Sequence, residues 1–94
     1  MAGQIGCGFL ANIEIYTKGW CPYCHMAKRL LQSKGHDFVE FDVDRDAEKY
    51  QEMLARSEGR WTVPEIFIDG TLIGGFDELR SMESSGKLDT LLGA

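Results

Sequence analysis

Three cysteines in 94 residues are too few, and too odd in number, to staple a small secreted domain. Such scaffolds carry larger, even sets because their cores are too small to hold them together alone. Basic charge is also in short supply. Ten Lys and Arg stand against fifteen Asp and Glu, a formal net charge of −5. That argues against nucleic acid as a partner, since phosphate binding wants a basic surface, and equally against an anionic membrane surface. No apolar run approaches the roughly 18 residues a membrane span needs. The first twelve residues hold no Lys or Arg and only a broken apolar stretch, so they do not read as a secretory signal. Internal repeats, linkers and low-complexity tracts are missing, and there is no second Cys-x-x-Cys. What remains is one domain with a single modest core, 44% of its residues being hydrophobic. A reducing cytoplasm, with a cysteine pair kept for chemistry, is the simplest setting, and a monomer is expected.

Residues 1–11 (MAGQIGCGFLA) are glycine-rich and weakly patterned, and read as an extension to a domain spanning 12–94. Cys7 falls in that extension. It reads as a bystander, with a second redox or dimer-forming thiol as the alternative. From Asn12 the pattern sharpens. Asn12 to Thr17 predicts a strand. Pro22 to Lys34 predicts an amphipathic helix with Ala27, Leu30 and Leu31 inward, stopped by Gly35. Phe38 to Val43 predicts a second strand, parallel to the first because a helix bridges them. A second helix is expected from about Asp46 to Ser57, capped by Asp44 or Asp46, with Tyr50, Met53 and Leu54 inside. Asp69-Gly70 between Glu65–Ile68 and Thr71–Ile73 is a two-residue hairpin signal. Asp77 then opens a third helix, and Lys87 to Leu92 allows a last helical turn. The order β-α-β-α-β-β-α predicts an α/β domain of the thioredoxin-like kind: a four-stranded mixed sheet with helices on both faces.

The centre of this pattern is Trp20-Cys21-Pro22-Tyr23-Cys24-His25. A strand delivers a Cys-x-x-Cys onto a helix start. Proline suits the first helical position, because the N–H it lacks has no partner there. Cys21 then falls at the N-cap, where its sulfur faces free N–H groups and the positive end of the helix dipole. Both favour thiolate over thiol. A free cysteine has a pKa of about 8.5, and sites of this kind lower it to roughly 3.5–7.5. Cys24, one turn in, is more enclosed. Cys21 is therefore read as the attacking sulfur and Cys24 as the resolving one.

Tyr16-Thr17-Lys18, Cys21-Pro22-Tyr23-Cys24, Thr62-Val63-Pro64 and Gly74-Gly75-Phe76-Asp77 stand in the order and spacing of the glutaredoxins. The chain resembles a dithiol, bacterial-type glutaredoxin from about Asn12 to Leu92. The resemblance implies a glutathione-dependent thiol-disulfide oxidoreductase with glutathione as co-substrate and no tightly bound cofactor or metal. Cys21 would attack a glutathione mixed disulfide, and a second glutathione or Cys24 would resolve it. Glutathione reductase would regenerate the glutathione, and disulfide-bonded proteins such as ribonucleotide reductase would be clients.

The resemblance also assigns a binding site. It puts a cis bond at Val63-Pro64, facing the cysteines, with the Val63 peptide groups free to pair with an extended ligand. The glycyl carboxylate would lie near Lys18 and a polar residue of the second helix, for which Gln51 is the candidate. The γ-glutamyl carboxylate would lie on the N–H groups of the helix opening at Phe76-Asp77, after Gly75. Asp77 would pair with the amine or serve as N-cap, Tyr23 would cover the ligand, and Thr62 would flank it. Three positions depart from the family pattern. Phe76 stands where a small polar residue or cysteine is usual. Trp61 precedes Thr62 where arginine or threonine is common, which leaves Arg60 a weak candidate. Glu65 follows Pro64 where a neutral or basic residue is frequent, and is expected to repel a Cys21 thiolate.

Rival readings are thinner. Cys21 to His25 matches the c-type haem attachment pattern, but the flanks build another fold. Zinc needs four ligands, and His25 and His36 are poor additions to two cysteines. A [2Fe-2S] cluster held between two protomers through Cys21 and glutathione is the main alternative, which Pro22 disfavours in the family. Thioredoxin-like activity with a dedicated reductase is the remaining one.

Overall fold

A computed structural model describes residues 11–93. Cys7 and nearly all of the expected extension lie outside the described residues. Within them, four strands and four helices follow one another as β1 (Ile13–Thr17), α1 (Pro22–Ser33), β2 (Val39–Asp42), α2 (Ala47–Arg56), β3 (Glu65–Ile68), β4 (Thr71–Gly74), α3 (Phe76–Ser85) and α4 (Lys87–Leu92). The sheet order is β2-β1-β3-β4, with β1 parallel to β2 and antiparallel to β3, and β3 antiparallel to β4. This is the expected mixed sheet, and α4 is the expected last helical turn. Asp69 and Gly70 join β3 to β4 with φ of 51° and 81°, the left-handed pair that a two-residue hairpin turn requires.

The period-two alternation of β1 and β3 divides the core between the two faces of the sheet. Ile13, Ile15, Ile66 and Ile68 pack with Ala27 and Leu31 of α1, Leu79 of α3, and Leu88 and Leu92 of α4. Tyr16 and Phe67 face the other way, against Val43 and Met53. The α2 helix is capped by Asp46, whose carboxylate accepts from the N–H groups of Glu48 and Lys49. Asp44 plays no part in that cap.

Strand register decides where the site falls. Tyr16, near the end of β1, pairs with Glu65, the first residue of β3. Ile66, the next residue, pairs with Gly74, the last of β4. The loop leaving β1, the segment entering β3 and the start of α3 are therefore brought to one edge of the sheet. These three carry Cys21, Val63-Pro64 and Gly75 to Asp77.

Candidate functional site

Cys21 is the N-cap of α1, with extended backbone (φ −119°, ψ 107°) and Pro22 at the first helical position. Its carbonyl accepts the first helical hydrogen bond, from His25 N–H at 3.1 Å. Its Sγ accepts from the Cys24 N–H at 3.2 Å. No acidic side chain occupies the first turn of the helix. An anionic sulfur at this position meets a donor and the positive end of a helix, with no adjacent carboxylate on its own element. Cys24 differs in every respect. It is buried, and burial first, then its hydrogen bonding with Cys21, push its thiol far above the ordinary range. One sulfur caps the helix and accepts a backbone N–H, while the other is buried and its thiol is pushed up.

Val63 lies across from the pair. The Val63–Pro64 peptide bond is cis, as expected. The Val63 carbonyl oxygen is 3.8 Å from Cys21 Sγ, which can donate to it as a thiol. Val63 precedes β3 and takes no part in its ladder. It also forms the ridge between two recesses. One, of about 270 Å³, is lined on one side by Thr62, Val63, Pro64 and Arg60 and on the other by Gly75, Phe76, Asp77, Glu78 and Tyr23. The other, of about 400 Å³, is lined by Lys18, Trp20, Cys21, Pro22, Asp44 and Val63.

Nearly all the residues expected at the site are thus gathered. Tyr23, Thr62, Val63, Pro64, Gly75, Phe76 and Asp77 surround the first recess, and Lys18 with Cys21 the second. Gln51 is the exception. It is exposed on α2 and lines neither recess. Phe76 does more than replace a small side chain. Its ring stacks on Tyr23 at 6.0 Å between centroids and 28° between planes, giving the recess an aromatic wall.

Asp77 does not cap α3. Gly75 is the N-cap, and Asp77 falls at the second helical position, exposed. The cap N–H of Gly75 is taken by Glu78 Oε1 at 2.6 Å. Sequence reasoning missed Glu78, although a carboxylate at the third helical position is the familiar partner of a helix cap.

Arg60, a weak candidate in the sequence, lines the recess. Trp61 turns out to solvent, 66% exposed, and Arg60 takes the place in the wall of the recess. Behind it sits Glu65, whose side chain is fully buried. Glu65 Oε2 is 3.2 Å from Arg60 Nε and accepts from Thr62 Oγ1 at 3.4 Å. Burial pushes the Glu65 carboxyl above its ordinary range, against the attraction of Arg60. The carboxylate expected to repel Cys21 is therefore engaged by Arg60 and Thr62.

The family model for glutaredoxin matches residues 13–73. Glutaredoxin 3 of Escherichia coli (strain K12) is 57% identical over 83 residues, covering 88% of this chain and 99% of its own. The solution structure of glutaredoxin from Brucella melitensis superposes with a TM-score of 0.78 at 45% identity, over 92% of each chain. A buckwheat glutaredoxin–glutathione complex superposes with a TM-score of 0.78 at 26% identity, over 98% of this chain and 93% of that one.

Proposed function

The chain belongs to the glutaredoxin family of thiol-disulfide oxidoreductases, and on that premise we propose that it reduces glutathione mixed disulfides and protein disulfides at the expense of glutathione. The observation that carries this is the Cys24 N–H on Cys21 Sγ, opposite the Val63 carbonyl. Cys21, as thiolate, attacks the glutathione sulfur of a mixed disulfide. A bond forms between the two sulfurs, the old S–S bond breaks, and the departing thiolate takes a proton from solvent. A second glutathione thiolate then attacks the glutathionylated Cys21, giving glutathione disulfide and restoring Cys21. With a protein disulfide, Cys21 first links to the client. Cys24 then loses its proton, displaces the client as a dithiol, and leaves a Cys21–Cys24 disulfide that two glutathiones reduce.

The two recesses and the Val63 ridge support one placement of the ligand. The peptide of glutathione lies along Val63, its glycyl carboxylate toward Lys18, its γ-glutamyl head in the recess between Thr62 and Asp77. The stacked Tyr23 and Phe76 rings flank the ligand's apolar stem. Gln51, exposed on α2, is the weakest member of this set. The buckwheat complex supports glutathione as the ligand through likeness of fold. We assign the activity to a domain spanning 12–94, in a reducing cytoplasm, with disulfide-bonded proteins of the ribonucleotide reductase kind as clients. No described helix is long and apolar enough to cross a membrane.

The test is a coupled assay with glutathione, NADPH and glutathione reductase on a small glutathione mixed disulfide. NADPH oxidation that depends on both the protein and glutathione is expected. Turnover supported only by a thioredoxin-type reductase would contradict the proposal.

A further inference from the structure

The wall of the smaller recess holds one cation, Arg60, and two acidic side chains, Asp77 and Glu78. Glu78 is already committed to the Gly75 N–H. A cation, the Asp77 carboxylate and the N–H groups opening α3 together match an ammonium and a carboxylate on one carbon, the free head of a γ-glutamyl group. The question is what keeps Arg60 there, since a surface arginine loses side-chain entropy when it is fixed.

Glu65 supplies the answer. A fully buried carboxylate is tolerated only with a partner, and Arg60 is its only cation among the described ion pairs. Its second oxygen, Oε1, is buried with no hydrogen-bond partner among the described residues. If Arg60 swung away, Glu65 would be left as an unpaired internal charge, which is strongly unfavourable. Arg60 is held through Nε, at one side of its fork. The Nη2 atom is 3.9 Å from Glu78 Oε1, beyond hydrogen-bonding distance. Arg60 lines the recess, and a guanidinium engaged at Nε keeps its two Nη groups as a flat pair of donors that a carboxylate can accept together.

We propose that Arg60 is a second anchor for the α-carboxylate of the γ-glutamyl head, and that buried Glu65 is the residue that positions it. The proposal rests on the glutathione reading of the recess. It gives Glu65 a role opposed to its effect on stability. The groups that face Glu65 are Arg60 and Thr62 from the loop before β3, Glu78 from α3, and Tyr16 across the strand pair. Arg56 of α2, on the same face, is already engaged by Glu14 and Tyr16. With its carboxyl raised by burial, Glu65 favours the fold when protonated. That contribution is present at and below the ordinary carboxylate range and is lost as pH rises through the raised value. Glutamine mimics the protonated form. Glu65→Gln is therefore expected to melt higher than wild type at pH 7, with the gain fading toward pH 4, while binding glutathione more weakly. Damage to the structure would lower both.

The experiment compares single-turnover reduction of two mixed disulfides by the reduced protein. One carries glutathione, the other cysteinylglycine, which lacks the γ-glutamyl head, each joined to 2-mercaptoethanol. Wild type is expected to prefer the first. Arg60→Gln and Glu65→Gln should each reduce that preference about tenfold, through the half-saturation concentration rather than the maximal rate. Arg60→Lys, which keeps the charge and loses the fork, should fall between. Because Arg60→Gln strands Glu65, the double variant Arg60→Gln/Glu65→Gln is the safer fold, and it should lie within about twofold of the single ones, as coupled residues do. A preference undiminished in these variants overturns the proposal while the glutathione reading stands. A preference lost in Arg60→Gln but intact in Glu65→Gln overturns the role of Glu65. A wild type with no preference removes the glutathione reading, and the proposal with it.

Discussion

Cys21→Ser is expected to abolish reduction of every disulfide the protein acts on, a loss of at least about a thousandfold. The size of the effect follows from chemistry. A serine hydroxyl keeps the shape of the N-cap, since serine is a good cap residue. It can still accept the Cys24 N–H that Cys21 Sγ accepts at 3.2 Å. The fold should therefore survive, with melting close to wild type, while the proposed nucleophile at the ridge is removed. An alcohol is not ionised near neutrality and does not exchange with a disulfide. Cys24 cannot substitute, because burial holds it as a thiol. The coupled assay reads the result. Surviving turnover would move the nucleophile to another sulfur, and a Cys7→Ser/Cys21→Ser variant would then show whether Cys7 supplies it.

Cys24→Ser separates the two halves of the reaction. Reduction of a small glutathione mixed disulfide is expected to persist within about threefold of wild type, since a second glutathione can resolve the intermediate. Reduction of a protein disulfide is expected to fall by about a hundredfold or more, with the client accumulating as a mixed disulfide on Cys21. The asymmetry comes from position. Cys24 is one helical turn from Cys21, and a neighbouring thiol reacts at a high effective concentration that free glutathione cannot match against a bulky client. Non-reducing electrophoresis of the trapped complex measures this. Equal loss of both activities would contradict the assignment of Cys24 as resolving only.

Much of the fold was legible because local signals agreed with one another. Asp69-Gly70 announced the hairpin, and both residues adopt the left-handed backbone that the turn demands. The element order β-α-β-α-β-β-α announced a sheet covered on both faces, and Ile13, Ile15, Ile66 and Ile68 fill one face while Tyr16 and Phe67 fill the other. Cys21-Pro22 announced a helix start with the sulfur at its cap. What was not legible depends on long-range geometry. Asp77 has the composition of an N-cap, but Gly75 takes that place and Glu78 reaches back to its N–H. Arg60 and Trp61 are neighbours with opposite fates, and only the path of the chain into Pro64 decides which one faces the recess. Glu65 reads as a charge beside the active site. In the structure it is a buried partner of Arg60, because the first position of β3 faces into the sheet. Gln51 was assigned from the family pattern alone and stays exposed on α2, away from both recesses.

The central claim is that Cys21 is the attacking sulfur because the start of α1 gives it the Cys24 N–H and the positive end of a helix. Its most direct test is the rate of iodoacetamide alkylation of Cys21 at pH 6, followed by peptide mapping so that each cysteine is counted separately, with free glutathione as the ordinary thiol. Cys21 is predicted to alkylate about tenfold faster than glutathione or more, and Cys24 more slowly than either. A Cys21 rate equal to that of glutathione would contradict the claim.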